Sequence, residues 1–373
     1  MTVTTQKVLV IGGGFSGMAA AIALARQGRA VDLIEIDAGW RSYGAGISLH
    51  GATFRALADL DLLDDFHTIG AMSDDVEMRA GPTDAVVMTL PAKSLVAGAK
   101  GNGGVMRPAL ARMMAAKTRA MGVNVRLGVG FDSLTAEGNV TFTDGTSGQY
   151  DLVIGADGLH SKTRATLWPD APAPRYIGQA VWRAVVPRPP ELDSLAMWMG
   201  PRLKAGLNHV SETESYIFLT EDRPENTRVD PATFLPHLKD LLSRFPSPIL
   251  ARVAAGLGEE SQIVYRPLEQ LLVPQPWYQG RVVMIGDAVH ATTPHMAAGA
   301  LMGMEDALVL AQELEKADDL PSALSAFAAR RWDRCRVIVE NSGRIGEIEA
   351  TGGDKAEHGR LMGMTLGLLA QPY

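Results

Sequence analysis

Gly12, Gly14 and Gly17 stand at G-x-G-x-x-G spacing directly after the apolar run Lys7–Ile11, and Glu35 closes the next apolar run, Ala30–Ile34. Residues of these types at these intervals suit the binding of a pyrophosphate and a ribose. Gly12 allows a tight turn, Gly14 lets backbone approach a phosphate, and Gly17 lets a helix pack against the strand. An Ala-rich helical pattern begins at once, so its unpaired N–H groups and positive dipole end face the same place. A carboxylate at Glu35 can accept hydrogen bonds from a ribose 2′-hydroxyl and would repel a 2′-phosphate. Strand, helix and acid fall in register, and the stretch reads as dinucleotide-binding. Alone, it does not separate FAD from NAD.

Two later segments end strands on comparable residues. The run Gln149–Ile154 leads into Gly155-Ala156-Asp157-Gly158, and Arg281–Ile285 leads into Gly286-Asp287. Ligands of open α/β sheets bind beyond the carboxyl ends of the strands, so the three ends are expected to converge. Asp287 could accept hydrogen bonds from a polyol chain such as ribityl, whereas Asp157 reads as holding its own turn. Arg41, in the loop Trp40–Gly46, and Arg107, before the helical pattern Met106–Met121, either reach a ligand or are ordinary surface arginines.

The elements that must position these residues follow from periodicity. Val123–Leu127 and Asn139–Thr143 read as strands, with Asp144-Gly145 as a hairpin turn. Between about Pro172 and Pro276 the chain is rich in β-type runs: Ala180–Val186, Ala196–Met199, Leu207–Val210, Tyr216–Thr220 and Gln262–Tyr265. Helical patterns return at Gly299–Leu314 and, after Pro321, at Ser322–Ile345; the tail Arg360–Leu369 is helix-compatible and expected to pack on the protein. The fold class is α/β, a Rossmann-like nucleotide domain with an inserted antiparallel-sheet domain and C-terminal helices. Residues 1–70, 105–171 and 277–345 form the first domain, 71–104 and 172–276 the second, and 346–373 a helical tail.

With 373 residues, 46% of them hydrophobic and 21% charged, the chain has ample material for a core. A net charge of −7 argues against nucleic acid as a partner. One cysteine, Cys335, excludes an internal disulfide and a cysteine-cluster metal site, and it reads as inert; no metal is expected. No signal-peptide pattern and no run of about 18 to 20 apolar residues is present, so a cytoplasmic protein without membrane insertion is expected.

The motifs together resemble a known family: the single-component, FAD-dependent aromatic hydroxylases (class A flavoprotein monooxygenases) related to para-hydroxybenzoate and salicylate hydroxylase. The resemblance rests on the fingerprint ending at Glu35, on DLVIGADGLHSKTR (Asp151–Arg164) and on VVMIGDAVHATTPHMAAGALMGMEDA (Val282–Ala307). It covers nearly the whole chain. It implies that Gly12, Gly14, Gly17 and Glu35 bind the FAD adenosine diphosphate and that Arg41 and Arg107 contact its phosphate and ribityl region. It further implies that Asp157 belongs to a motif serving FAD and NAD(P)H. Gly286 and Asp287 would hold the ribityl chain, and Pro294 and Gly299 would line the isoalloxazine. Three departures stand out. Ala297-Ala298-Gly299 replaces a frequent Gly-Gln-Gly, Gly51-Ala52 replaces a frequent Pro-Asn, and Asn208-His209 replaces a frequent Tyr-Pro in the substrate sheet.

The implied activity is hydroxylation of a small aromatic or heteroaromatic, phenolic substrate by a flavin hydroperoxide, with NADH or NADPH and O2 as co-substrates. Such an enzyme acts as a monomer or homodimer. The chemistry needs a dry cavity, a ring held close to the reacting oxygen, and a group that raises phenolate character. His50, His209 and His295 are the candidates for that group, each weighed against a merely packed histidine. Arg183 and Lys204 could anchor an anionic substituent, and Met197, Trp198, Met199, Met296 and Met302 could line the cavity or fill the core. His290 reads as structural. Alternatives on the same fold are epoxidation, halogenation and dehydrogenation. The G-W-x-W-x-I-P segment of flavin halogenases is missing. A non-catalytic nucleotide-binding module is the remaining class.

Overall fold

The computed structural model describes residues 6–373. Its central sheet has six strands in the order Tyr278–Gln279, Val282–Met284, Leu152–Gly155, Lys7–Ile11, Ala30–Glu35 and Asn124–Leu127, parallel except for the first. The apolar central runs Val8–Ile11, Leu152–Gly155 and Val282–Met284 are buried throughout, as a sheet covered on both faces requires. Register brings the three motifs together: Ile11 pairs with Gly155 and Gly155 with Met284, so their turns leave the sheet side by side. The expected strand Gln149–Ile154 is two elements. Ser147–Gln149 belongs to a small antiparallel sheet with Phe131–Leu134 and Asn139–Phe142, and Leu152–Gly155 to the central sheet. Tyr150 and Asp151 make the break. The Tyr150 hydroxyl donates to Asp32 and Asp151 accepts from the Gln6 and Lys7 N–H groups.

The helix Phe15–Arg26 crosses the helix Gly299–Lys316 closely because small residues meet there. A Cβ on Gly303 would come within 1.9 Å of the Ser16 hydroxyl, and one on Gly286 within 2.3 Å.

The second large sheet has seven strands, in the order Val264–Gln270, Arg175–Pro187, Glu214–Asp222, Leu203–His209, Leu195–Gly200, Asp75–Ala80 and Ala85–Pro91. It is antiparallel except where Leu195–Gly200 runs parallel to Asp75–Ala80. Segments 71–104 and 172–276 thus both supply its strands. One face packs on two helices, Phe234–Ser243 and Pro248–Gly256, through Trp182, Trp198, Leu241 and Leu250. The other face looks toward the nucleotide sheet. A three-stranded sheet of Gly46–His50, Asn102–Met106 and Gly70–Ser73 joins the two.

The long helix is Leu320–Thr351, running past the expected end at Ile345 to Gly352, whose left-handed φ of 70° stops it. Gly343 and Gly346 within it serve close packing: Cβ atoms there would lie 2.2 Å from Gln270 and 2.6 Å from His295. The last helix, Lys355–Ala370, folds back. Arg55 and Arg334 donate to carbonyls of Leu368, Leu369, Ala370 and Gln371, satisfying acceptors that a helix end leaves open. Among the described residues no helix is long and apolar enough to cross a membrane.

Candidate active site

A cavity of about 710 Å³ lies between the two large sheets. At one end the fingerprint glycines have separate tasks. Gly12 takes φ of +106°, and a Cβ there would meet the Ala156 carbonyl oxygen at 2.4 Å. A Cβ on Gly17 would sit 1.9 Å from the Gly12 oxygen. Gly14 differs: nothing lies within 4 Å of its Cβ position, it faces the cavity, and it caps the N-terminus of Phe15–Arg26. Backbone and helix dipole are therefore presented to the cavity without side-chain obstruction.

Glu35 also faces the cavity. One carboxylate oxygen accepts from Gly13 N–H at 2.7 Å and the other from Asp37 N–H at 2.8 Å, which fixes its orientation. Trp40, in a left-handed conformation (φ 44°), donates its indole N–H to the Gly13 carbonyl at 2.8 Å and packs over the turn. Sequence reasoning treated Trp40 only as part of a loop. Arg41 lies exposed at the cavity rim, where its hydrogen bonds hold Asp37 well below the usual carboxylate range.

Arg107 begins the helix Arg107–Ala120 and faces the cavity, with Nε donating to Ser42 Oγ at 3.2 Å and the guanidinium over the Phe15 ring. Burial among protein atoms lowers its pKa, Asp287 raises it, and Arg266 lowers it. Asp287 follows Gly286, whose φ of 62° turns the chain so that the carboxylate enters the cavity. Burial raises the Asp287 pKa against the opposing pull of His290 and Arg107. Pro294 and Gly299 line the next stretch of wall. Between them Ala297 adopts φ of 49°, the left-handed region in which the frequent glycine carries no Cβ penalty.

Asp157 lies outside the wall. Its carboxylate accepts from Ser161 Oγ at 2.6 Å and Thr163 N–H at 2.8 Å, closing the turn before Lys162–Leu167, while Ala156 and Gly158 face the cavity. Arg164 ties this motif to the last one by donating to the Ala288 carbonyl at 2.8 Å.

Behind the wall a buried network fixes the Gly286 turn. Asp306 accepts from Gly286 N–H at 2.8 Å, from His290 Nε2 at 2.5 Å and from Arg331 Nε at 2.7 Å; Arg331 and Arg334 also hold Glu305. Burial disfavours the charged form of His290, but the Asp306 carboxylate overrides it and raises the pKa well above the ordinary value. His290, Asp306 and Cys335 are close enough to hold a metal ion, yet the Arg331 cation occupies the shared carboxylate. Cys335 is buried beside it.

The far wall is the inner face of the seven-stranded sheet. Cross-strand pairs Val181–Arg266, Arg183–Val264, Arg183–Phe218 and Lys204–Thr220 share one face, and all of these residues line the cavity. Arg183 and Lys204 therefore reach it, as does Met197. Met199, half-exposed, is not on the wall; it lies beyond the reach of the cavity near the end of its strand. Trp198 points to the opposite face and donates to Asp84, and Met296 and Met302 are core residues.

Of the three histidines only His295 lines the cavity. Its Nδ1 pairs with Thr293 Oγ1 at 2.9 Å and its Nε2 faces Glu349 at 3.5 Å. Burial, with Lys204 next, lowers its pKa to about 3. His50 caps the helix Gly51–Asp59 and turns toward Glu305, Arg334 and Arg55 on the far side; burial lowers its pKa to about 4. His209 ends its strand away from the cavity, bonded to Ser215 Oγ at 2.8 Å. Neither stands where a substrate base must stand. Lys204 is also altered in role, since Glu349 of the long helix pairs with it at 2.7 Å.

Sequence reasoning missed Tyr216, Ser48, Asn208 and Arg266. The Tyr216 hydroxyl lies 2.5 Å from Ser48 Oγ, which also accepts from Asn208 Nδ2 at 2.8 Å. Gly46 leaves room for the tyrosine: a Cβ there would be 2.1 Å from its ring. Period-two alternation within Glu214–Asp222 marks Tyr216, Phe218 and Thr220 as one face, but only strand pairing says that this face is the wall.

The residues fit FAD: an unobstructed Gly14 cradle, an oriented ribose acceptor at Glu35 and a strand-end carboxylate at Asp287 are spread along one continuous cavity. Comparison with known proteins agrees. The FAD binding domain family matches residues 5–342. The 2-heptyl-3-hydroxy-4(1H)-quinolone synthase of Pseudomonas aeruginosa is 32% identical over 92% of this chain and 90% of its own. Klebsiella pneumoniae HpxO, solved with FAD and uric acid, superposes with a TM-score of 0.85 at 26% identity, covering 98% of this chain and 97% of that one. The 2-methyl-3-hydroxypyridine-5-carboxylic acid oxygenase superposes with a TM-score of 0.78 at 25% identity, over 98% and 96%. The chain belongs to the FAD binding domain family and is an FAD-dependent monooxygenase of the class A type.

Proposed function

We propose that the enzyme hydroxylates a small heteroaromatic substrate carrying a ring hydroxyl, with NAD(P)H as reductant and O2 as oxidant. The observation that carries this reading is the continuity of the cavity. It runs from Gly14 and Glu35 past Asp287 and Pro294 to Tyr216, Phe218 and Val181 without a partition. The first part suits a dinucleotide and the last suits a flat ring. Relatives that include a urate hydroxylase, a hydroxypyridine carboxylic acid oxygenase and a hydroxyquinolone synthase support a heteroaromatic substrate.

In this reading Glu35 holds the adenosine ribose, the N–H groups beyond Gly14 meet the pyrophosphate, Arg41 and Arg107 add positive charge, and Asp287 accepts from the ribityl hydroxyls. Bound FAD, once reduced, supplies the activation of O2. Pro294 and Gly299 set the wall against which the flavin ring lies. Val181, Phe218 and Val264 keep water from the substrate ring. Burial raises the pKa of Tyr216, so it stays a phenol at neutral pH and acts by hydrogen bonding rather than as a base. With its O–H directed to Ser48, the Tyr216 oxygen can accept a hydrogen bond from the substrate hydroxyl and so raise the ring's phenolate character. His295, held neutral with both ring nitrogens facing protein groups, serves as wall. The chain has one glycine fingerprint and no second one for nicotinamide, so NAD(P)H visits transiently.

The test is a panel of hydroxylated pyridines, quinolones and purines with the FAD-loaded enzyme. At least one should accelerate NAD(P)H oxidation and give a product heavier by one oxygen. A yellow, folded enzyme that hydroxylates none of them would contradict the reading.

A further inference from the structure

The seven-stranded sheet ends in the hairpin of Asp75–Ala80 and Ala85–Pro91, and the second of these strands has no neighbour beyond it. Its sequence, AVVMTLP, holds no charge, and all of its residues are exposed. Free sheet edges ordinarily carry charge against unwanted pairing. Register says where the side chains point. Leu195 pairs with Val76 and Val76 with Leu90, while Met197 pairs with Met78 and Met78 with Met88. Paired residues share a face, and Leu195 and Met197 line the cavity. Two apolar rows therefore run side by side from the cavity wall to the free edge, across two strand spacings or about 10 Å.

The polar residues of the hairpin alternate to the opposite face. Glu77 and Arg79 pair there at 2.6 Å, and Trp198, in register with Arg79, packs under the helices. The face continuous with the cavity receives Val76, Met78, Met88 and Leu90 instead, and neither hairpin strand adds a charge to it. The protein leaves this face partly bare: Val76 and Met78 are half-buried, and Met88 and Leu90 are 50% and 42% exposed. Contiguous apolar surface of this kind marks a place where something else binds.

The cavity wall stops at Leu195 and Met197, so a flat ring held there would leave the other four residues uncovered. A linear aliphatic chain on that ring fits the two rows in width and in lack of charge. Met197, Met78 and Met88 form one of the rows, and flexible thioethers adapt to a mobile chain. A polar extension would find no side-chain partner along the way.

We propose that these rows form an aliphatic subsite continuous with the cavity and that the substrate ring carries an alkyl or alkenyl chain lying across Val76, Met78, Met88 and Leu90. The inference rests on the proposed heteroaromatic substrate and narrows it. The other occupant that such an edge fits is the same strand of a second copy, paired about a two-fold axis.

The experiment titrates the FAD-loaded enzyme, without NAD(P)H, with quinolones and hydroxypyridines bearing straight alkyl chains from methyl to nonyl. Chains of equal length built from ether units serve as controls, and binding is read by calorimetry and by the visible flavin spectrum. In at least one alkyl series affinity should rise about two- to fourfold per added methylene group, as burial of a CH2 allows, while the ether series stays flat. Met88→Gln and Leu90→Gln should each reduce the rise, whereas Val86→Gln, on the opposite face across from Arg79, should keep it. Sedimentation of the parent and of the same variants reads the other occupant. No rise in any alkyl series overturns the proposal, as does a rise that both Met88→Gln and Leu90→Gln keep in full. A dimer that Val86→Gln and Met88→Gln both dissociate, with chain length without effect, overturns it and assigns the edge to a second copy. Chain-dependent binding with no member hydroxylated once NAD(P)H and O2 are added would contradict the functional reading alone. Hydroxylation of the short members without a chain-length rise would contradict this inference alone.

Discussion

The two ends of the cavity are built by different means. At the nucleotide end the ligand-facing groups are largely backbone: the Gly14 helix terminus, the Gly12 turn and the Gly286 turn, each set by local sequence and locked by register. At the substrate end the groups are side chains from strands far apart in the chain, held by pairing, as with Arg183 opposite both Val264 and Phe218. A backbone-built end accepts few substitutions and keeps one ligand. A side-chain-built end can change its ligand by exchanging residues on a fixed face. Relatives as different as a urate hydroxylase, a hydroxyquinolone synthase and a hydroxypyridine carboxylic acid oxygenase fit that division.

The largest effects should come from the buried charges behind the nucleotide end. Asp306→Ala would leave Arg331 and His290 without their carboxylate and should cost about 3 to 5 kcal/mol of unfolding free energy in urea. Asp306, together with Glu349 beside Lys204 at the substrate end, sets the acid limit. Asp306 and Glu349 both have folded pKa values below their ordinary ones; burial opposes this in each, and the pull of His290 and Arg331 on Asp306, and of Lys204 and His358 on Glu349, overrides it. Their stabilisation is complete above the ordinary carboxylate pKa of about 4 and is lost as pH falls through the lower folded values. Unfolding curves from pH 7 to pH 3 should therefore fall steeply on the acid side, and Glu349→Gln should flatten part of that fall. An unchanged acid slope would remove Glu349 from this role.

Next in size is the cofactor contact. Asp287→Ala should weaken FAD retention by about 1.5 to 3 kcal/mol, roughly 10- to 150-fold, with little loss of fold stability because the carboxylate faces the open cavity rather than the packed core. FAD titration of the apoprotein with parallel thermal unfolding measures both. Full-affinity FAD binding in this variant would break the contrast between the ends. Tyr216→Phe should act only at the other end: FAD affinity unchanged, and hydroxylation reduced about 10-fold or more. The smallest effect expected is a gain. Ala297→Gly relieves a left-handed alanine and should add up to about 1 kcal/mol, visible as a raised unfolding temperature.

The contrast also explains what could be read in advance. The places of Gly12, Gly17, Glu35 and Asp287 at the cavity were legible because each depends on a few adjacent residues: a turn, a helix start, a strand end. The strand ends were expected to converge, and Ile11, Gly155 and Met284 lie in one register. Arg266 and Tyr216 were not legible as site residues because only nonlocal pairing brings them to one face. His50 and His209 looked suitable by proximity in sequence to loop and sheet. Yet alternate residues of a strand face opposite ways, and a strand end can lie far from the ligand. The expected helix end at Ile345 fell short for a related reason: Gly346 continues the helix and its missing side chain admits His295.

The central claim is that this cavity transfers one oxygen atom from O2 to a carbon of a heteroaromatic ring held against the seven-stranded sheet. Turnover of a confirmed substrate under isotopically labelled dioxygen, with NAD(P)H consumption and product followed together, tests it most directly. The account predicts one labelled atom on the product ring and close to one product formed per NAD(P)H consumed. A product labelled only from water, or oxidised without gaining oxygen, would contradict it.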